Sequence, residues 1–202
     1  MSAYTTVVFD LGGVLIQWDP RHLYRKLLRD DAAVEHFLAT VCTQTWNEQQ
    51  DAGRGFADAE AELIAIHSDK EHLIRAYRTR FDEMIPGANE DVVDILLELK
   101  ERGTPLYALT NWSAETFVSQ KTRFPFLGVF DGILVSGEEG LIKPDVRIFS
   151  LLVKRYRLDP GATVFIDDAA SNAAAAAAVG IHGIQYTDAA TLRQTLRTLG
   201  LL

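Results

Sequence analysis

The chain holds a single cysteine, Cys42, in 202 residues. An intramolecular disulfide is impossible, a secreted disulfide scaffold is excluded, and a reducing cytoplasm is the expected compartment. No apolar run approaches the ~20 residues that a membrane helix needs. The opening Met1-Ser2-Ala3-Tyr4 lacks the basic residues and apolar stretch of a signal peptide. Positive charge is also scarce. Twenty Lys and Arg face 28 Asp and Glu, for a net charge of -8 and no basic stripe. Neither nucleic acid nor a membrane is therefore an expected partner. No Gly-x-Gly-x-x-Gly follows a strand, and no Gly-Lys-Ser/Thr loop is present, which argues against dinucleotide binding and P-loop ATP hydrolysis. The histidines show no metal-ligand spacing, and there is no repeat of fixed period.

What is present begins with Val7-Val8-Phe9-Asp10-Leu11-Gly12-Gly13-Val14. A β-branched apolar run ends at a carboxylate, and two glycines follow. That pattern predicts a buried strand over Thr5 to Asp10 and a tight turn after it. From Asp19-Pro20 to about Ile85 the apolar residues recur at helical spacing and no strand is expected, so this stretch reads as a small helical bundle. From Glu90 onward helix and strand alternate. Helix is expected over Glu90 to Arg102, Trp112 to Arg123, Val146 to Tyr156, Asn172 to Val179 and Ala189 to Leu199. Strands are expected at Pro105 to Leu109, Gly132 to Val135, Thr163 to Ile166 and His182 to Tyr186. The alanine run from Ala173 to Ala178 fits helix rather than linker. Alternation of this kind predicts an α/β fold: a Rossmann-like, doubly wound parallel sheet. Residues 1–16 and 86–202 are expected to form the core, with a helical insertion, residues 17–85, after the first strand.

In a parallel sheet the carboxyl ends of the strands face one edge, where ligands bind. Asp10, Thr110-Asn111, Lys143 and Asp167-Asp168 all fall at such ends or in the loops after them. Each has a bland reading: Asp10 starts a turn, Thr110 caps a helix, Lys143 is a solvated loop residue, and Asp167-Asp168 complements a helix dipole. Together they point to phosphate chemistry on Mg²⁺, a hard ion that takes oxygen ligands and few protein carboxylates. Asp10 and Asp168 supply those ligands, Thr110 and Lys143 bind the phosphate, and a carboxylate close to phosphorus can act as nucleophile.

The segments Phe9-Asp10-Leu11-Gly12-Gly13-Val14-Leu15, Leu109-Thr110-Asn111, Gly140-Leu141-Ile142-Lys143-Pro144-Asp145 and Phe165-Ile166-Asp167-Asp168 resemble the four motifs of the haloacid dehalogenase-like superfamily of hydrolases, in order and spacing. The resemblance covers nearly the whole chain. It is nearest to the branch of glucose-1-phosphatase-like enzymes and the phosphatase domain of soluble epoxide hydrolases. It implies a Mg²⁺-dependent phosphatase acting on a small phosphate monoester, such as a sugar phosphate, through an aspartyl-phosphate on Asp10. By the same resemblance Asp10, the Gly12 carbonyl and Asp168 hold Mg²⁺. Thr110, the Asn111 amide and Lys143 hold the phosphate, Asp167 and Asn172 support them, and the inserted helices form a cap.

One departure stands out. Most phosphatases of the superfamily carry an aspartate two residues after the nucleophile as general acid and base; this chain has Gly12. Such a group contributes typically ~10²–10⁴ in rate. Asp19, Glu48 and Asp51 in the cap are candidates to replace it. The departure also admits a metal-independent dehalogenase of 2-haloacids and a weak or inactive phosphate-binding, regulatory member. A phosphate-accepting receiver module would place its acidic pair at the first strand instead. Trp46 and Arg54, with Arg21, are the expected substrate contacts from the cap. The sequence assigns neither the substrate's identity nor the oligomeric state.

Overall fold

The computed structural model of the chain describes residues 4–202, so the first three residues of the expected core segment 1–16 lie outside the described residues. Five strands, β1 (Thr6–Phe9), β2 (Leu106–Thr110), β3 (Gly132–Val135), β4 (Thr163–Asp167) and β5 (His182–Gln185), form a sheet in the order β3-β2-β1-β4-β5. All neighbours are parallel. The chain builds outward from β1 to β3, then crosses back to lay β4 on the other side of β1. The crevice at that reversal lies over the end of β1, which is where Asp10 stands.

The period of two along each strand divides the core in two. Val7 and Phe9 join one apolar cluster with Leu106, Ala108, Val164 and Ile166. Val8 joins the other with Leu109, Leu134 and Phe165. Val7, Val8 and Phe9 are fully buried, and burial of each contributes roughly 1.5–3 kcal/mol of transfer free energy. Helices α9 (Val146–Tyr156) and α10 (Ala170–Ala177) cover the second face through Ile148, Phe149, Leu152 and Ala176. Helices α6 (Glu90–Glu101) and α11 (Ala189–Thr198) cover the first through Val92, Leu96, Leu192 and Leu196. The alanines of α10 let the helix lie close to β5: a Cβ at Gly183 would overlap the Ala173 carbonyl.

Between β1 and β2 the chain forms α1 (Arg21–Tyr24), α2 (Asp31–Thr40), α3 (Gln44–Asp51), α4 (Phe56–Ile66) and α5 (Glu71–Thr79). The chain leaves and re-enters the sheet region through a narrow neck, where Gln17 N–H donates to Gly87 O at 2.9 Å and Asn89 N–H to Leu15 O at 2.9 Å. The expected start at Asp19-Pro20 holds in substance: Asp19 Oδ1 accepts from Arg21 N–H at 2.9 Å. The helical pattern from His22 to Val41 is interrupted, because Asp30 caps a second helix by accepting from Ala33 N–H at 2.8 Å. This stretch shares its core with the sheet. Tyr24, Trp46, Phe56 and Tyr77 lie in the same apolar cluster as Val7 and Phe9. Aromatic contacts run from Trp46 to Tyr77, Phe81 and Trp112 with centroids 5.1, 6.3 and 5.9 Å apart.

Candidate active site

Asp10 follows the last residue of β1, and its Oδ1 accepts the Leu11 N–H at 2.7 Å. The same oxygen lies 2.8 Å from Lys143 Nζ. Lys143 Nζ also reaches Asp167 Oδ2 at 2.6 Å and the Leu109 carbonyl at 3.0 Å. An ammonium has three donors, and here all three meet protein acceptors. Lys143 is 2% exposed and Asp167 is fully buried, so the bland reading of a solvated lysine fails. Asn111 explains how the loop is held: its side chain accepts from Lys143 N–H at 2.8 Å and donates to the Lys143 carbonyl at 3.0 Å. The Asn111 carboxamide is thus engaged with the Lys143 backbone rather than free for an anion.

Asp167 is saturated as well. Beyond Lys143, its Oδ1 accepts from Ala169 N–H and Asn172 Nδ2, each at 2.9 Å. Asn172, expected in support, is therefore bound to this carboxylate. Asp168 is the exposed member of the pair and has ligand oxygens within 4.8 Å of those of Asp10 and Asp167. Gly13 makes room for it: a Cβ there would overlap the Asp168 carboxylate, and the backbone at φ +75 is left-handed. Gly12 differs, since a Cβ at that position meets nothing within 4 Å.

Electrostatics follow from this packing. Burial lifts the Asp10 carboxyl, with Lys143 opposing and Asp167 adding to the rise. Burial works against the Lys143 ammonium, but Asp10 and Asp167 outweigh it and the net shift is upward. Desolvation and Asp167 raise Asp168 against Lys143. Three carboxyls face one ammonium, and with all three ionised two negative charges are left uncompensated. A divalent cation with oxygen ligands fits that donor set.

Thr110 ends β2. It is fully buried, and its Oγ1 has no hydrogen-bond partner. It caps no helix, because Ser113 does so for α7 (Ala114–Arg123), accepting from Glu115 N–H at 3.3 Å. That cap also starts α7 two residues later than the sequence suggested. An unpartnered buried hydroxyl costs ~1–3 kcal/mol and calls for a ligand or a water.

Over these strand ends lies a cavity of about 220 Å³. Asp10, Gly12, Gly13, Asn111 and Asp168 line it from the sheet. From the helical stretch come Gln44, Asn47, Glu48 and Asp51 of α3, with Trp18, Phe81 and Trp112 as aromatic walls. Trp18 Nε1 is buried there without a partner. Asp51, 8% exposed, accepts from Asn47 Nδ2 at 2.8 Å. Burial pushes its carboxyl up to about 7, opposed by the Ser113 N–H and assisted by Glu48.

Trp46 and Arg54, expected at the substrate, do not reach this cavity. Trp46 is packed edge-on against Tyr77 and Phe56, because its apolar ring is worth more inside the cluster than at a polar cleft. Arg54 pairs with Glu62 at 2.6 Å and donates to Gln49 Oε1 at 2.6 Å. Arg21 is likewise held by Glu35 and Asp19. Sequence reasoning missed Trp18, Gln44 and Asn47. The available signal was the i, i+4 spacing of Asn47 and Asp51, two polar residues on one helix face.

A family profile for haloacid dehalogenase-like hydrolases matches residues 4–180. A sesquiterpene phosphatase of Aspergillus oryzae is 28% identical over 200 residues, covering 98% of this chain and 97% of the relative. A D-ribitol-5-phosphate phosphatase of Bacteroides thetaiotaomicron is 23% identical over 205 residues, covering 96% and 97%. Among solved structures, a HAD-family enzyme of Bacteroides thetaiotaomicron, in complex with magnesium and inorganic phosphate, superposes with a TM-score of 0.69 at 23% identity, covering 91% of this chain and 94% of that one. Because the family profile spans residues 4–180, most of the chain, and the four strand-end segments come together at one edge, the chain belongs to the haloacid dehalogenase-like hydrolases.

Proposed function

We propose that the chain is a Mg²⁺-dependent phosphatase that hydrolyses a small phosphate monoester through an aspartyl-phosphate on Asp10. The observation that carries this reading is the ionic cluster: Lys143 buried between Asp10 and Asp167, with Asp168 within reach and two negative charges left over when all three carboxyls are ionised. A 2-haloacid would meet carboxylates with its own carboxylate, which disfavours the dehalogenase. The two relatives named as phosphatases support the monoester class, and their unlike alcohols leave the organic part of the substrate open.

In this reading Asp10, the Gly12 carbonyl and Asp168 hold Mg²⁺, which when bound neutralises phosphate charge. Lys143 fixes the Asp10 carboxylate and keeps it oriented toward phosphorus; Asp167, itself held by Asn172, fixes Lys143. The orphaned Thr110 hydroxyl donates to a phosphate oxygen. Asp10 attacks phosphorus, and water then cleaves the acyl phosphate. The helical stretch 17–85 acts as a cap over the core of 1–16 and 86–202, and α3 supplies the wall that meets the alcohol. Cys42, buried and without a partner cysteine, fits a reducing cytoplasm.

The test is phosphate release from an aryl phosphate with and without Mg²⁺. Turnover should vanish on chelation and return when Mg²⁺ is restored. Full activity in chelator, or halide release from a 2-haloacid, overturns the reading.

A further inference from the structure

An alkyl phosphate cannot leave readily as an alkoxide, so its oxygen needs a proton as the P–O bond breaks. The strand ends provide none. Asp167 has both oxygens engaged, Lys143 has spent its three donors, and Asp10 and Asp168 serve the nucleophile and the cation. Among the described residues, the titratable side chains lining the cavity are Asp10, Asp168, Glu48 and Asp51. Only the last two remain. Asp19, a third candidate from the sequence, does not line the cavity, and its carboxylate is taken by the Arg21 backbone and guanidinium.

We infer that Asp51, at the end of α3, is the proton donor to the leaving oxygen and then the base for the attacking water. This inference rests on the phosphatase reading. Asp51 is preferred to Glu48 on geometry. Its carboxyl is buried and fixed by Asn47 Nδ2 at 2.8 Å, whereas Glu48 is half-buried and meets Gln44 Nε2 at 3.3 Å. The backbone around it is anchored to the phosphate-side loop, because Ser136 Oγ donates to the Asp51 carbonyl at 2.6 Å and accepts from Trp112 N–H at 2.9 Å. Asp51 is thereby tied to the residues that follow Thr110, on the sheet side of the cavity.

The groups facing it act in both directions: burial and Glu48 favour the proton, and the Ser113 N–H opposes it. Glu48 lies on its own helix, Tyr77 faces it from α5, and the Ser113 N–H reaches it from the start of α7. No salt bridge reaches Asp51 among the described residues. Burial holds the carboxyl at about 7, close to the value that lets one group give and take a proton near neutral pH.

The step balances. An Asp10 oxygen attacks phosphorus, the P–O bond to the alcohol breaks, and the Asp51 proton moves to the departing oxygen. Asp51, now a carboxylate, takes a proton from water as that water attacks the acyl phosphate. The P–O bond to Asp10 breaks, phosphate leaves, and both carboxyls return to their starting states.

The test uses Asp51→Asn with two probes in the presence of Mg²⁺: dinitrophenyl phosphate, whose leaving group needs no proton, and glycerol phosphate, whose leaving group does. For glycerol phosphate, kcat/KM should fall ~10²–10⁴-fold. For dinitrophenyl phosphate it should change by less than about threefold, since that constant reports the first irreversible step. A burst of dinitrophenolate should also appear, because the acyl phosphate is then hydrolysed without its base. The decline of kcat/KM for glycerol phosphate above neutral pH should be absent from the variant. Equal losses on both probes would make Asp51 merely structural and overturn the inference while leaving the phosphatase reading intact. So would the same selective pattern from Glu48→Gln in place of Asp51→Asn. If Asp51→Asn does not fold, Asp51→Glu serves: a selective, smaller loss on glycerol phosphate supports the role, and equal losses overturn it. A wild-type protein that releases phosphate from neither probe refutes the phosphatase reading itself.

Discussion

Asp10 and Asp51 line the same cavity, and burial raises both carboxyls. Their surroundings are otherwise opposite. Asp10 sits in an ionic cluster, against an ammonium whose three donors are spent on protein acceptors. Asp51 sits among neutral donors, an amide and a backbone N–H, with no cation bonded to it among the described residues. An ion pair fixes a charge in place and keeps the carboxylate available as a nucleophile. A neutral, desolvated site keeps a proton on the acid until a substrate asks for it. Burial lifts both carboxyls to about 7, so the contrast between them lies in their partners, an ammonium for Asp10 and neutral donors for Asp51, and it can be tested by removing each support in turn.

The largest effect is expected from Asp10→Asn. Turnover of every phosphate ester should be lost, since a carboxamide is a far poorer nucleophile, while the melting temperature holds because no new buried charge appears. Retention of most of the rate by the folded variant breaks the contrast at its root. Lys143→Met comes next. It strands Asp10 and Asp167 without their cation, and breaking a buried pair from one side costs ~3–5 kcal/mol. Chemical denaturation should show that loss together with a fall in kcat/KM of roughly 10²–10³-fold. Normal stability and rate would return Lys143 to the status of a loop residue.

Gly12→Asp, built into the Asp51→Asn variant, sharpens the other half. The open space at Gly12 admits the side chain, and a new acid beside the nucleophile should recover about tenfold or more of the lost glycerol phosphate turnover. Stability against pH gives a smaller signal. The Asp51 carboxyl stands at about 7 in the folded chain against 3.8 for an ordinary aspartate, so the folded state binds the extra proton between those values. Its stabilising contribution is complete below the ordinary value and is lost as pH rises toward neutrality. Asp51→Asn should therefore gain stability relative to wild type between pH 5 and pH 8, by a few kcal/mol at most. A difference that stays constant across that range would count against a neutral Asp51. Smallest of all is Arg54→Ala, which should change kcat/KM by less than about twofold and stability by no more than ~1 kcal/mol, as a pair between a half-buried Arg54 and an exposed Glu62 allows. A large rise in KM would bring Arg54 back to the substrate.

The sequence by itself determined the sheet and its functional edge. An apolar run that stops at a polar residue is a local signal, and in a parallel sheet the stops share an edge whatever the loops do. Asp10, Thr110, Lys143 and Asp167-Asp168 were legible for that reason, and so was the helical stretch, through its periodicity. Tertiary structure decided the rest. Helical spacing shows that Trp46, Asn47 and Asp51 lie on a helix, but which side of that helix meets the sheet depends on how the aromatic cluster of Tyr24, Phe56 and Tyr77 packs. That packing buried Trp46 away from the cavity and turned Asn47 and Asp51 toward it. Arg54 drew attention as a cation between two glycines, yet Glu62 and Gln49 claim it. The protonation states lie furthest from the sequence, because a carboxyl is set by its desolvation and its neighbours in space, and both arise only when the helical stretch closes on the strand ends.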